Sequence, residues 1–202
     1  LKRIAYLLDI FPRLSETSTV TEIVELMNDK LDVRIFSRKK SDDKVQHLKA
    51  KELMKQTFYF SDLRVSNLKI LWLHLSFLVS SPTRYIKTFL FSYKRRDNGT
   101  LWHFSHSVVY AKVLKEARIE HIHSRYANSV ATKYAMLSSM LTGISFTFSA
   151  HGWYDLFTSP PVDFYDIAIN SKGVVVATNF NKDYITKHFH IPADKIYIIR
   201  RM

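Results

Sequence analysis

Seven short apolar runs, most of them apolar on both faces, alternate along this chain with stretches of helical period. A strand that is apolar on both faces must be covered on both. A parallel sheet between two layers of helices does this, and few other architectures can. The pattern therefore predicts an α/β fold with a doubly wound, mostly parallel sheet.

The first strand is expected from Arg3 to Leu8, where an apolar run meets an Asp-Ile-Phe-Pro turn. A helix follows from Thr17 to Lys30. Thr19 and Glu22 stand at capping-box spacing, and Val20, Ile23, Val24 and Met27 share one helical face. Asp32 to Ser37 is a second strand, and the basic run Arg38-Lys39-Lys40 after it reads as a solvated loop. Asp43 to Gln56 reads as a polar helix and Thr57 to Phe60 as a short aromatic strand. Asn67 to Val79 and Thr83 to Tyr93 are two amphipathic helices broken at Pro82, and Lys94 to Gly99 is a loop. The remaining strands are expected at Glu120–His123, Ser145–Ala150, Gly173–Ala177 and Lys195–Ile199. The helices between them are expected at His103–Ala117, Ala127–Leu141, Val162–Ser171 and Asn179–Phe189. Gly143 suits a left-handed cap, and Ser159-Pro160-Pro161 breaks the chain. Asn179 and Asn181 are expected to cap their helix.

With 202 residues, 47% of them hydrophobic, the chain has enough apolar matter for one domain or lobe. It has no cysteine, which removes disulfides and thiolate metal sites. The formal net charge of +12 favours anionic partners. The first hundred residues hold 19 Lys/Arg against 11 Asp/Glu, so most of the excess lies there. The run Leu1 to Leu8 meets Asp9 and Pro12 without a small-residue cleavage site, which predicts no leader peptide. The most apolar stretch, Leu68 to Val79, contains Lys69 and His74 and falls short of the roughly 20 residues that a spanning helix needs. The expected location is cytoplasmic. The basic first half and the pieces Leu68–Val79 and Tyr85–Tyr93 suggest peripheral contact with an anionic membrane on its inner face.

Ligands of doubly wound sheets bind at the carboxyl ends of the strands. The segments to watch are therefore 11–19, 123–128, 151–155 and 178–181. Three of the chain's passages resemble family 4 glycosyltransferases. Phe11-Pro12-Arg13-Leu14-Ser15-Glu16-Thr17 is similar to an FP-x-x-SET loop. His121-Ile122-His123, leading through Leu141-Thr142-Gly143-Ile144 to Phe146-Thr147-Phe148-Ser149-Ala150-His151-Gly152, is similar to an H-x-H-F…LTGIPFSFTAH passage. Val174 to Asn181 and then Ile191-Pro192-Ala193-Asp194-Lys195-Ile196 are similar to a VVTIS-x-x-N…IPADKI passage. Two features depart from the family pattern: Leu14-Ser15-Glu16 stands where many members have a Gly-Gly loop, and Asp155 follows His151 by four positions instead of three.

The resemblance implies a GT-B enzyme of two Rossmann-like lobes, with this chain as the N-terminal, acceptor-side lobe over 1–202 and a nucleotide-sugar lobe beyond it. It implies transfer of a sugar from a nucleotide-sugar donor to a hydroxyl of a glycan or lipid-linked acceptor, with retention of anomeric configuration and no metal or other cofactor. A lobe alone would be nearly inactive, because both reacting groups must be held in one closed cleft. His151 is the expected catalytic residue, a neutral imidazole able both to donate and to accept at the reacting centre. Ser15, Glu16 and Thr17 would meet the donor at a helix start, and His123, Arg125, Asn128, Gly152 and Asp155 would line the substrate floor. His121 and His123 alternate on one strand face, but no carboxylate or cysteine stands at metal-ligand spacing. His103, His106, His188 and His190 read as surface residues.

A rival reading is a non-catalytic basic α/β module that binds polyanions or anionic membrane. No aromatic–basic motif for nucleic acid is present, and nucleic acid is not an expected partner. A dinucleotide enzyme is disfavoured because no Gly-x-Gly-x-x-Gly follows the first strand.

Overall fold

The computed structural model describes residues 2–43, 48–158 and 160–200; at Trp153 and Tyr154 it describes the backbone. The strands are β1 (Arg3–Phe11), β2 (Asp32–Lys40), β3 (Phe58–Tyr59), β4 (His121–Ser124), β5 (Ser145–Ser149), β6 (Gly173–Val176) and β7 (Ile196–Ile198). The helices are α1 (Thr17–Asn28), α2 (Leu48–Lys55), α3 (Asn67–Ser80), α4 (Pro82–Lys94), α5 (Thr100–Glu116), α6 (Val130–Thr142), α7 (Phe164–Asn170) and α8 (Asn179–Phe189). Every strand pairing is parallel, in the order β3-β2-β1-β4-β5-β6-β7. This is a Rossmann-like sheet. The chain winds outward one way from β1 and, after crossing back, the other way from β4. The crevice between β1 and β4 is thus the switch point where ligands of such sheets bind.

The pleat sends alternate residues to opposite faces. Ala5, Leu7, Ile122, Phe146, Phe148, Val174 and Val176 join α5 and α6 in the larger core. Tyr6, Leu8, Val33 and Ile35 face the other way, against Val20 and Ile23 of α1 and Ala50 and Leu53 of α2. Burial of this much apolar surface, at roughly 25 cal/mol per Å², drives the fold.

The ends of the elements show which local signals prevailed. Ser66, Ser129 and Thr178 cap α3, α6 and α8 through their hydroxyls. Thr178 therefore takes the role expected of Asn179 and Asn181. Gly143 closes α6 in the left-handed region at φ 80°, as its position suggested. Pro82 opens α4 at a position where its missing N–H costs nothing. The expected capping box at Thr19 and Glu22 does not form. Glu16 is the N-cap, Thr19 is buried, and Glu22 bonds across to the sheet. The basic run 38–40 is not a loop: β2 continues through it, because Arg38 lies against Asp9 of β1 and the charge is neutralised there. Of the polar helix expected from Asp43 to Gln56, Leu48–Lys55 is described as helix, and residues 44–47 lie outside the described residues. Ser159, in the expected break before Pro160, also lies outside them.

Candidate active site

Two cavities flank the carboxyl ends of β1, β4 and β5. The first holds about 310 Å³ and sits in the β1/β4 crevice, lined by Asp9, Arg13 and Glu16 on one side and Tyr126, Asn128, Ser129 and Asp155 on the other. The second holds about 290 Å³ beside α1, where Tyr6, Glu22, His123, Arg125, Ser149 and His151 meet. Six of the expected site residues therefore divide between two compartments, Glu16, Asn128 and Asp155 in the first and His123, Arg125 and His151 in the second, while Ser15, Thr17 and Gly152 line neither.

His151 leaves the end of β5 just after Ala150. Its ring meets Tyr126 edge to face at 5.6 Å between centroids. Its backbone N–H donates to Oδ2 of Asp155 at 3.0 Å. Asp155 is 2% exposed, and the backbone amides of Ala127 and Asn128 also favour its charged form. Burial pushes its carboxyl up, and these three amides oppose the shift. Asp155 thus acts as a clasp between the segment after β4 and the segment after β5. Gly152, at φ 35°, turns the chain between His151 and the clasp.

Arg125 is 2% exposed. Its guanidinium bonds Glu22 through Nη1 and Ser18 through Nη2 at 3.2 Å, and it lies 5.8 Å from the Tyr126 ring centroid. Tyr6 donates to Glu22 Oε1 at 2.8 Å. Burial and the nearby Glu22 raise the Tyr6 hydroxyl well above its ordinary value, so it stays a donor. Arg125 therefore holds α1 to the sheet and does not project into solvent. Local sequence patterns do not point to this cluster, since Glu22 and Arg125 are 103 positions apart.

His123 belongs to a ladder of polar groups across β4 and β5. His121 contacts Ser145 at 2.8 Å through Nδ1 and Thr147 at 2.9 Å through Nε2. His123 contacts the same Thr147 hydroxyl at 2.9 Å through Nδ1 and Ser149 at 3.2 Å through Nε2. A hydroxyl has one proton, so Thr147 can donate to only one of the two rings. When it donates to one and accepts from the other, the neutral ladder has two proton patterns, one the reverse of the other. Burial, with His121 and Arg125 nearby, pushes His123 down to about 3. It is a neutral hydrogen-bonding group throughout the physiological range.

Ser15 and Thr17 are exposed at the entry to α1, and Glu16 is half-buried with its carboxylate 3.8 Å from Arg13. Burial raises the Glu16 carboxyl. The N–H of Leu14 donates to Asp43 at 3.0 Å, which pins the loop. Asn128 is exposed beside the crevice. Of the four histidines expected at the surface, His188 and His190 are exposed. His103 is not: it packs edge to face on Tyr134 at 5.3 Å, and burial lowers its pKa. His106 is half-buried against Trp102.

The chain matches the family model described as Glycosyltransferase Family 4 over residues 15–202. A glycosyltransferase structure from Rickettsia africae is similar at TM-score 0.56 and 18% identity, covering 99% of this chain and 43% of that one. A UDP-GlcNAc 2-epimerase from Neisseria meningitidis, solved bound to UDP-GlcNAc, is similar at TM-score 0.56 and 12% identity, over 98% of this chain and 45% of that one. Another UDP-N-acetylglucosamine 2-epimerase reaches TM-score 0.58 at 10% identity, over 98% and 48%. At such identities the likeness is one of fold. The chain spans less than half the length of each of these structures. None of the curated proteins matches it.

Proposed function

The chain belongs to glycosyltransferase family 4, and on that footing we propose that it is the acceptor-side lobe of a retaining enzyme that moves a sugar from a nucleotide-sugar donor to a hydroxyl. The observation that carries the reading is the setting of His151. It stands at the carboxyl end of β5, against Tyr126, on a backbone clasped by Asp155 to the segment after β4. An imidazole held by its own backbone keeps its position as substrate enters, which is what orientation of a reacting hydroxyl requires.

In this reading the substrates approach from the β1/β4 crevice, whose lining residues Tyr126 and Asp155 touch His151. Glu16 lines the crevice, with Ser15 and Thr17 on either side of it at the start of α1, where backbone N–H groups favour phosphate by roughly 0.3–1 kcal/mol per contact. Asn128 and Gly152 line the floor, while Asp155, His123 and Arg125 position it from beneath. A nucleotide sugar suits the reading because the same fold binds one in the Neisseria epimerase. The acceptor is a glycan or lipid-linked hydroxyl, and a second lobe beyond residue 202 supplies the nucleotide pocket. By the family resemblance the transfer uses no metal or cofactor.

The test is donor turnover by a protein that carries both lobes, screened over common nucleotide sugars, beside its His151→Ala variant. A fall on the order of 10² or more in kcat with a folded variant is the expected result. Turnover that survives His151→Ala would remove His151 from the chemistry. Absence of turnover with every donor, together with tight salt-dependent binding to polyanions, would favour the binding-module reading.

A further inference from the structure

The helices that link β3 to β4 turn an unusual surface outward. α3 packs inward through Leu73 and Phe77. Its outer side exposes Leu68, Leu71, Trp72, Leu75 and Val79 by 76, 56, 60, 53 and 82%. These residues recur at intervals of three and four, and so form a single stripe. α4 packs inward through Thr88 and Ser92 and exposes Ile86, Phe89, Leu90 and Tyr93. Trp102, in the first turn of α5, is 67% exposed. Soluble surfaces commonly scatter such side chains singly; a contiguous apolar patch marks a contact surface.

The charge around the stripes has one sign. From residue 64 to residue 96 there are seven Lys/Arg and no Asp or Glu. Lys69, Lys87 and Lys94 are exposed beside the apolar side chains. A cavity of about 700 Å³ opens at the start of the same helix, with Phe36, Phe58 and Leu73 within and Arg34, Arg64 and Lys69 around it, beside the ion pair of Lys112 with Glu116. Apolar interior and cationic rim together fit an anionic amphiphile better than a folded protein. Among the described residues no helix is long and apolar enough to cross a membrane.

We propose that the outer face of α3 and α4, with Trp102, docks this chain in the plane of an anionic lipid bilayer. The leucines and aromatic rings enter the headgroup boundary, where tryptophan and tyrosine are favoured, and the lysines meet lipid phosphates and carboxylates. The proposal is independent of the sugar-transfer reading.

The test is co-sedimentation of the chain with phosphatidylserine-containing vesicles and with pure phosphatidylcholine vesicles. The chain is expected to partition onto the former, less so at high salt. Each lysine near an anionic surface is worth about fivefold in partition, so Lys69→Glu, Lys87→Glu and Lys94→Glu together are expected to lower it at least ~100-fold. Trp72→Ser with Leu75→Ser, both exposed positions, is expected to lower it without changing the net charge. Lys49→Glu, Lys51→Glu and Lys55→Glu on α2 form the charge-matched control and are expected to lose much less. Equal loss from both lysine triples would overturn the proposal, since net charge alone would then explain binding. Failure of the chain to sediment with anionic vesicles would overturn it too, as would a stable dimer that buries this face and ignores lipid.

Discussion

Removal of Glu22 should destabilise the chain far more than its position on a helix surface suggests. Its carboxylate faces Arg125 and receives the Tyr6 hydroxyl. The Arg125 side chain is 2% exposed and that of Glu22 35%. In Glu22→Ala the guanidinium keeps Ser18 but loses its counter-charge. Leaving one partner of a buried pair uncompensated costs about 3–5 kcal/mol. Water can reach Glu22's place, so a cost at or just below the foot of that range, about 2–3 kcal/mol, is expected. For a chain of this size that is a fall in Tm of about 4–12 °C. The assay is thermal and urea unfolding followed by circular dichroism. Tyr6→Phe, which removes only the hydroxyl, is expected to cost about 1 kcal/mol. Glu22→Ala combined with Arg125→Met should recover much of the loss, because no charge is then stranded. Costs for Glu22→Ala and Arg125→Met that add within ~0.5 kcal/mol would refute the coupling.

Three further outcomes are expected. His123 stays neutral when folded to about pH 3, whereas unfolded it takes a proton near 6.5. Stability from this group is therefore full above pH 6.5 and falls by about 1.4 kcal/mol per pH unit in the window below it; a pH series of unfolding free energies should show a shallower slope in His123→Gln. Phe148→Ala opens a cavity at a fully buried position of β5 that contacts Phe164, and urea unfolding should show a loss of about 3–5 kcal/mol. Gly143→Ala strains a φ of 80° and puts a Cβ 2.6 Å from the Arg84 guanidinium, which bonds the Thr142 carbonyl. A loss of about 1–2 kcal/mol is expected, with only part restored by adding Arg84→Ala, since the backbone strain would remain.

The parallel sheet was legible in the sequence because strands buried on both faces have to be written as apolar runs, and β1 and β6 are. The Gly143 cap was legible too, because the left-handed turn it makes depends on that one residue. Contacts made across the fold were not. Glu22 fitted a local capping rule and answered instead to Tyr6 on β1 and to Arg125 just past β4. Arg38 looked like part of a solvated run until Asp9 of the adjacent strand drew β2 onward. Residues 127 to 129 looked helical, yet the Ala127 and Asn128 amides turn to Asp155 and Ser129 starts α6. At the candidate site, His151 followed from its place after a strand, whereas the division of its neighbours between two compartments depends on which way Arg125 faces.

One carboxylate holds both rims of the floor on which His151 sits. The two rims are therefore not separate parts for protein engineering. Transplanting the 151–158 segment from a relative without this carboxylate, while keeping 125–129, would take away the charge that favours the turn at Ala127 and Asn128. An attempt to retarget the acceptor should exchange both segments as one cassette, because the clasp makes them a single module of variation.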